Sequence, residues 1–547
     1  MNIVHFVFFF LSSLILLWKY SYILFQDSKS IIHDVVYETL QDNVNNAQIT
    51  HHPDKRYGYF LQLSDIHLDD HYTPGATLKS GCHKLPNKHK HSKHHQHCGL
   101  MGVPGVRMDA PSTLIEETLN WIEREWRDKL DFVIWTGDNA RHDWDLKHPR
   151  KESKVLKLSG KVTDMFEKVF SASPEHPRAI PVIPCIGNND VQPHNYIKLN
   201  DDVLPFFEKL WDQWIPKDQR KYFLEGGYFA ADVAPRLRVL SINTMYFLKK
   251  NPFSKSCLRK SSPGHAHFVW YKQQLEKARK DNVKVYVIGH VPPSPREFLS
   301  SCLTDYLSIT AEFPDVVYGH FYSHLNMDHF LLYDKREQEI HGSAAEEESI
   351  EKNIQSKPLN IPFLEDSYNN GIDDEVTIQR NVLEYISWLE GMYDDIDEFE
   401  NKHPDRHKKK MDAHKKPFDS EPVVAIHVAP SVFPVYMPTV RIYRYEIDVS
   451  ETSKRPFGAL LGYSQFVSNI TTYNHEQLHK NPRDPLNYTL EYDTSTLYGL
   501  PDLSVDTYIE FADVLTKKDD PVSKKLWSTY VNNVFVQTQN QTFAHLS

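Results

Sequence analysis

The stretch Phe132-Val-Ile-Trp-Thr-Gly-Asp-Asn-Ala-Arg-His-Asp143 decides how the chain is read. Its first four residues form a short apolar run of the kind buried inside a parallel sheet. A glycine then permits a sharp turn, and Asp138 follows where the strand must end. The same construction recurs along the chain. Tyr59-Phe-Leu-Gln-Leu63 runs into Asp65-Ile-His67, Ile180-Pro-Val-Ile183 into Gly187-Asn-Asn-Asp190, and Val283-Lys-Val-Tyr-Val-Ile288 into Gly289-His290; Val316-Val-Tyr318 is followed by Gly319-His-Phe-Tyr-Ser-His324. Leu237-Arg-Val-Leu-Ser-Ile242 adds one more strand. Between the first two strands, Ile115, Leu119, Ile122, Trp126 and Leu130 recur at three- and four-residue spacing. This predicts an amphipathic helix, with Ser112 placed to cap it and Glu116 and Glu117 in its first turn. Strand, helix and strand in alternation predict a layered α/β domain.

In α/β sheets, ligands bind at the carboxyl ends of strands, where loops from several strands converge. Five strand ends here carry carboxylate, imidazole or amide oxygen donors, a mixture that suits Mn, Fe or Zn better than a thiolate site would. One such element is weak evidence of a metal centre. Five in order, each after a strand, are strong.

The rest of the chain bounds what surrounds this site. Its 547 residues exceed one minimal domain, and a composition of 40% hydrophobic and 12% aromatic residues can bury a large core. With 62 Lys+Arg against 73 Asp+Glu, the net charge is −11. That balance speaks against a general duplex-DNA binder, and no nucleic-acid partner is expected. A mean hydropathy of −0.53 excludes a polytopic membrane protein. Ile3 to Phe25 nevertheless carries one fixed charge, Lys19, and has membrane length. Trp18, Lys19 and Tyr20 follow Leu17 where a signal peptide would carry small residues, so an uncleaved anchor is favoured. Sequons at Asn469, Asn487 and Asn540 fit a lumenal or extracellular body. Five cysteines fit an oxidising compartment with two bridges. Spacing does not fix connectivity; Cys82–Cys98 and Cys257–Cys302 are preferred because Cys185 lies within an apolar strand pattern.

The organisation then reads as follows. Residues 1–25 hold a short N-terminus and the transmembrane anchor, and 26–56 a polar stem. The core spans 57–334 and carries a His-rich loop at 82–98 that reads as solvated but could bind metal or polyanions. Residues 335–420 form a charged insertion, with Glu346-Glu-Glu-Ser-Ile-Glu351 against His403-Pro-Asp-Arg-His-Lys-Lys-Lys410. Within it, Val382, Ile386, Leu389 and Met392 permit one helix. Residues 421–449 supply return strands, and 450–547 a C-terminal lumenal region with the sequons.

The ordered motifs resemble the calcineurin-like metallophosphoesterase superfamily, whose pattern is Asp-x-His, Gly-Asp, Gly-Asn-His-(Asp/Glu), Gly-His and Gly-His-x-His. The similarity covers Tyr57 to Tyr333 and a return strand at Val423-Val-Ala-Ile-His-Val-Ala-Pro-Ser431. This string and the Asp138-to-His142 spacing look close to the branch of acid sphingomyelinase-like phosphodiesterases. Closer still is the fungal endopolyphosphatase family, on the N-terminal anchor, Gly187-Asn-Asn-Asp190 and Leu325-Asn-Met-Asp-His-Phe330. The resemblance implies an αββα sandwich behind a signal anchor. It also implies a single-pass type II glycoprotein of the vacuole membrane, with a lumenal catalytic domain that cuts inorganic polyphosphate internally. Homo-oligomerisation is left open.

Carried over by position, the resemblance gives Asp65 and His67 to one divalent metal ion, Asp138 to both, and Asn188 and His290 to the second; Mn, Mg, Zn, Fe and Co all remain open. The last motif departs from the pattern. Matching on Gly319-His320 leaves Tyr322 where a histidine belongs. Matching on Asp328 and Phe330 instead selects His324 for the second metal and Asn326 as a weaker donor to the first. The second alignment is preferred, with His320 as the alternative. Two ions about 3.5–4 Å apart would activate a bridging hydroxide for in-line attack on phosphorus. Asn189 occupies the usual place of the histidine that assists the leaving oxygen. An amide cannot supply a proton, so His142 is the candidate acid. Arg141, together with Arg107, is a candidate for binding phosphate. Two rival readings are a sphingomyelinase-like phosphodiesterase and a non-catalytic metal-binding module.

Overall fold

The computed structural model describes residues 57–86, 97–143, 145, 148–333, 382–394, 424–448 and 455–538. The anchor and stem assigned to 1–56, the middle of the His-rich loop, most of the 335–420 insertion and Asn540 lie outside the described residues. Among the described residues, no helix is long and apolar enough to cross a membrane.

Each buried apolar run of the sequence becomes a strand. In the first sheet, β1 (Gly58–Leu63), β2 (Phe132–Trp135) and β3 (Val182–Pro184) are parallel neighbours, with Leu63 opposite Trp135 and Trp135 opposite Pro184. The second sheet is built around β5 (Leu237–Ser241), β6 (Lys284–Ile288), β7 (Val317–Tyr322) and β9 (Val424–Val428), again parallel. Its edges are β4 (Phe229–Ala234) and β8 (His329–Tyr333), both antiparallel to their neighbours. On the other side of β1 the first sheet continues antiparallel through β10 (Thr439–Tyr445), β11 (Leu460–Val467) and β12 (Thr489–Asp493). Strands from beyond residue 450 therefore complete the sheet that carries β1.

The two six-stranded sheets face one another through aromatic side chains. Phe60 on β1 stacks on Phe132 and Tyr443 within its own sheet, at 4.8 Å from each. Across the interface its ring lies 5.4 Å from Tyr286 on β6 and 5.3 Å from Phe321 on β7. Such rings bury about 150–250 Å² each and dominate the energetics of a core. Helices lie against both sheets. Trp135 stacks at 4.1 Å on Phe166 of the helix Glu152–Phe170. On the second sheet, Tyr306 of the helix Ser300–Ala311 reaches His320 and Tyr322 of β7.

Two local expectations change. The helix of residues Ser112–Glu125 begins one residue earlier than Ser112 as a cap requires. Pro111 is the N-cap residue, and the Ser112 hydroxyl bonds Glu116 instead, at 2.6 Å. The strand read at 180–183 is confined to Val182–Pro184. The helix allowed by Val382, Leu389 and Met392 exists over 382–394 and buries all three. It docks on β8, with Tyr393 stacked on Phe330 at 4.4 Å.

Candidate metal centre

The loops leaving β1, β2, β3, β6 and β7 meet at one end of the two sheets. Backbone bonding welds the first two together. The N–H groups of Ile66 and His67 donate to the Asp138 carbonyl, and that of Asp65 donates to Gly137. Asp65, His67, Asp138, His324 and Asn326 all have positive φ, between 44° and 70°. Non-glycine residues seldom adopt this conformation, and where they do the surrounding structure must over-determine it, as at binding and catalytic sites. Gly187 explains how close the loops come. A Cβ at that position would stand 2.2 Å from Asp138 Oδ1 and 2.4 Å from its backbone nitrogen.

Two donor clusters share Asp138. One comprises Asp65, His67 and Asp138; the other comprises Asp138, His290 and His324. His67 Nε2 lies 3.6 Å from Asp65 Oδ1 and 3.5 Å from Asp138 Oδ2, and His290 Nε2 lies 3.2 Å from Asp138 Oδ2. Asn188 Oδ1 is 2.7 Å from His290 Nε2, and His324 Nδ1 is 3.1 Å from the same nitrogen. The opposite ring nitrogens are held by carbonyls: His290 Nδ1 by Thr136 at 2.8 Å, and His67 Nδ1 by Ala140 at 3.2 Å. That leaves each Nε2 aimed into the cluster, the arrangement in which a backbone carbonyl fixes the tautomer of a metal-binding histidine.

Burial opposes ionisation of Asp138, but His290, His67 and His324 hold its carboxyl well below the ordinary range. For His290, burial works against the charge, and Asp138 outweighs it, pushing the imidazole up to about 9. Among the donors of this site, Asp65 Oδ1 and Asn326 Oδ1 are buried and accept no hydrogen bond. An orphaned carboxylate oxygen inside a carboxylate–imidazole cluster is what a divalent cation satisfies. The residues thus fit divalent metal binding.

The cavity over this cluster is lined by His67, Asp138, His142, Asn189, His324 and Asn326, with Arg107, Lys250 and Glu297 in its wall. His142 stacks on His67, their ring centroids 3.9 Å apart, and its Nδ1 is 2.7 Å from Asp109 Oδ1. Burial pushes the Asp109 carboxyl up to about 6. Asn189 hydrogen-bonds Asp138 rather than reaching outward. His320 lies inside β7, bonded to the Tyr306 hydroxyl at 2.6 Å, and burial drives its imidazole down to about 3. It takes no part in either cluster, whereas His324 does.

Arg141 does not line the cavity. Its guanidinium is buried and donates to the carbonyls of His142 and His148, because the loop after Asp138 turns its side chain inward. Several contributors escape a motif search. Asp190 accepts the backbone N–H groups of Asp138, Asn139 and Gly187, which clamps the β2 and β3 loops together. Arg150 bonds the carbonyls of Arg141 and Asn189. Asp109 sits 33 residues from its histidine, and Lys250 and Glu297 belong to no strand-end motif; only the acidic fourth position of Gly187-Asn-Asn-Asp190 gives any sequence signal.

Away from the cavity, the disulfides are Cys82–Cys98 and Cys257–Cys302, and Cys185 is a buried thiol. Asn469 and Asn487 are both exposed.

Residues 58–324 match the family model of the calcineurin-like phosphoesterases. The chain is 32% identical over 426 residues to the endopolyphosphatase of Candida glabrata, covering 73% of this chain and 62% of that protein. It is 31% identical over 445 residues to that of Yarrowia lipolytica, covering 71% and 56%. Against that of Saccharomyces cerevisiae it is 40% identical over 285 residues, covering 51% and 42%. The chain therefore spans between about two fifths and three fifths of the length of these curated relatives. The similarity to the calcineurin-like phosphoesterases thus spans residues 58–324, in a chain whose curated relatives are named endopolyphosphatases.

Proposed function

We propose that this chain is a divalent-metal-dependent hydrolase that cuts phosphoanhydride bonds inside inorganic polyphosphate to give shorter chains. The observation that carries the reading is the pair of donor clusters sharing Asp138 beneath a cavity with Arg107 and Lys250 in its wall. The relatives' name supports polyphosphate as the substrate. In this reading one ion takes Asp65, His67 and Asp138, with Asn326 as a further oxygen donor. The other takes Asp138, Asn188, His290 and His324. Two such ions supply Lewis acidity at phosphorus and a nucleophile at neutral pH.

The chain's own groups do the rest. Thr136 and Ala140 hold His290 and His67 in one tautomer, and Asn189 holds Asp138. His142, oriented by Asp109, carries the proton that neutralises the departing phosphate. Arg107 and Lys250 bind phosphates flanking the cut. Phe433 gives a phosphodiesterase reading some footing, since an aromatic wall could take a base or lipid. Its ring, however, packs 4.9 Å from His67 and 5.3 Å from His142, where it buttresses both imidazoles.

We also infer a lumenal site of action, with the vacuole as the compartment and residues 1–25 as a type II anchor. Two disulfides and the exposed Asn469 and Asn487 support an oxidising, glycosylating route. Each asparagine engages its Oδ1, toward Thr472 N–H and Trp121 Nε1 respectively, so a glycan on the amide nitrogen breaks neither bond.

The test is to incubate the full chain and divalent metals with long-chain polyphosphate, sphingomyelin and nucleotide diesters. Hydrolysis of polyphosphate in preference to both esters is expected. Ester cleavage with polyphosphate left intact overturns the reading.

A further inference from the structure

A second meeting of imidazoles and carboxylates lies outside the Asp138 clusters. His83 follows the disulfide-bonded Cys82, whereas Asp145 and His148 belong to the loop that continues from His142. One donor atom from each of these three residues lies within 4.8 Å of the other two. His83 stands between two carboxylates. Its Nδ1 is 2.7 Å from Asp145 Oδ2, and its Nε2 is 2.6 Å from Asp69 Oδ2. The rings of His83 and His148 are 5.2 Å apart, edge to face. Asp69 is itself fixed by the His71 N–H, 3.0 Å from its Oδ1. The His83 and Asp69 side chains are 6% and 3% exposed, Asp145 is 13% exposed, and His148 faces solvent.

An ion pair between His83 and its carboxylates does not call for His148. A cation with two imidazole donors and one carboxylate donor does. Zinc bonds such donors at about 2.0–2.2 Å, which sets them about 3.3 Å apart in a tetrahedron. The His83–Asp145 contact needs to open slightly for this, and the solvent-facing His148 has room to close in. Asp69 then sits on the ring nitrogen opposite the metal-facing one. A carboxylate in that place fixes the tautomer of a metal-binding histidine and raises its basicity. The nitrogen-rich donor set suits zinc or cobalt above magnesium or calcium.

We propose that His83, Asp145 and His148 form a separate zinc-class cation site, oriented by Asp69 and open to solvent at one position. Such a site ties the Cys82–Cys98 loop to the loop that carries Asp138 and His142. Arg141 already braces the loop after Asp138: it donates to the His148 carbonyl, and its Nε lies 3.9 Å from Asp69 Oδ1 in the loop after β1.

The test uses the full chain with His89, His91, His94, His95 and His97 changed to Gln, so that the rest of the His-rich run cannot contribute. Protein is equilibrated in zinc buffered by a competing chelator, and metal per chain is counted by mass spectrometry. His148→Ala and Asp145→Asn should each hold one equivalent less than the parent, whatever number the Asp138 clusters retain. Asp138→Ala should keep this equivalent while losing metal from the other centre, which separates failure here from failure of the dinuclear reading. Asp69→Asn should keep the equivalent with affinity about 10–100-fold weaker. Position 148 is exposed, so His148→Ala leaves no core void and decides the matter even if another variant does not fold. Equal zinc content in the parent and His148→Ala overturns the proposal.

Discussion

Asn189 hydrogen-bonds both oxygens of the Asp138 carboxylate, with its backbone N–H 2.8 Å from Oδ1 and its side-chain amide 2.9 Å from Oδ2. The amide oxygen of Asn189 faces Arg150 at 3.3 Å. The side chain is thereby engaged on both ends, and its work is to orient the carboxylate shared by the two clusters. Removing an outer partner of this kind typically weakens metal affinity about 10–100-fold. Asn189→Ala should therefore need more metal for half-maximal activity and recover much of its rate in excess metal. A rate that stays crippled at saturating metal would instead assign Asn189 to the leaving group.

His142→Ala should behave in the opposite way. The imidazole is oriented by Asp109 and stacked on His67, and it lines the cavity. A phosphate leaving group is already a fairly stable anion, so the loss should fall at the low end of the ~10²–10⁴-fold range for general acid–base catalysis. Metal content, read by mass spectrometry, should not change. Loss of one limb of the pH–rate profile marks proton donation, and an unchanged profile shape marks phosphate positioning.

Gly187→Ala tests the close approach of the β2 and β3 loops. The new Cβ would meet Asp138 Oδ1 at 2.2 Å and the Asp138 backbone nitrogen at 2.4 Å. A rotamer change relieves the first contact but not the second. Activity and metal retention should both collapse while far-ultraviolet circular dichroism stays native-like. Near-normal turnover would contradict the geometry.

Glu491 supplies a pH dependence away from the centre. Although the residue is only partly buried, its Oε1 is sealed from solvent and accepts no hydrogen bond. Burial pushes the carboxyl up to about 8, with Asp328 adding to the shift and Gln465 and Arg441 opposing it. The folded value lies above the unfolded one of about 4.3. The folded state therefore holds a proton that the unfolded state has released, and this contribution to stability is complete below about pH 4 and lost as pH rises through 8. Glu491→Gln should melt like the parent at pH 4 and increasingly above it from pH 5 to 8. A difference that is constant with pH would contradict this.

Much of the site was legible because strand ends are legible. An apolar run followed by Gly-Asp, Gly-Asn or Gly-His marks both the end of a parallel strand and a donor; β2, β3 and β6 deliver their groups in that way, and β1 does so through Asp65-Ile-His67 without a glycine. The last motif was ambiguous because the end of β7 could not be read. Val317 to Tyr322 are all strand, which carries His320 into the interior, and His324 lies two residues beyond with φ of 70°. Arg141 misled for a related reason. A cation beside a metal-site aspartate looks like a phosphate ligand until the loop is seen to turn it toward its own carbonyls. Asp109, Lys250 and Glu297 come from segments whose approach is set by tertiary packing alone. The strands β11 and β12 carry no strand-end motif, and their pairing is irregular: the register of β10 with β11 shifts at Arg444/Tyr445 of β10, and that of β11 with β12 at Gln465/Phe466 of β11.

The sizes of the first products from long-chain polyphosphate test the central claim most directly. With divalent metal present, a gel time course should show mid-length chains before orthophosphate accumulates, and Asp138→Ala should show neither. Orthophosphate as the sole product from the earliest time, or an Asp138→Ala variant that cuts at the parental rate, would contradict internal cleavage at the Asp138 centre.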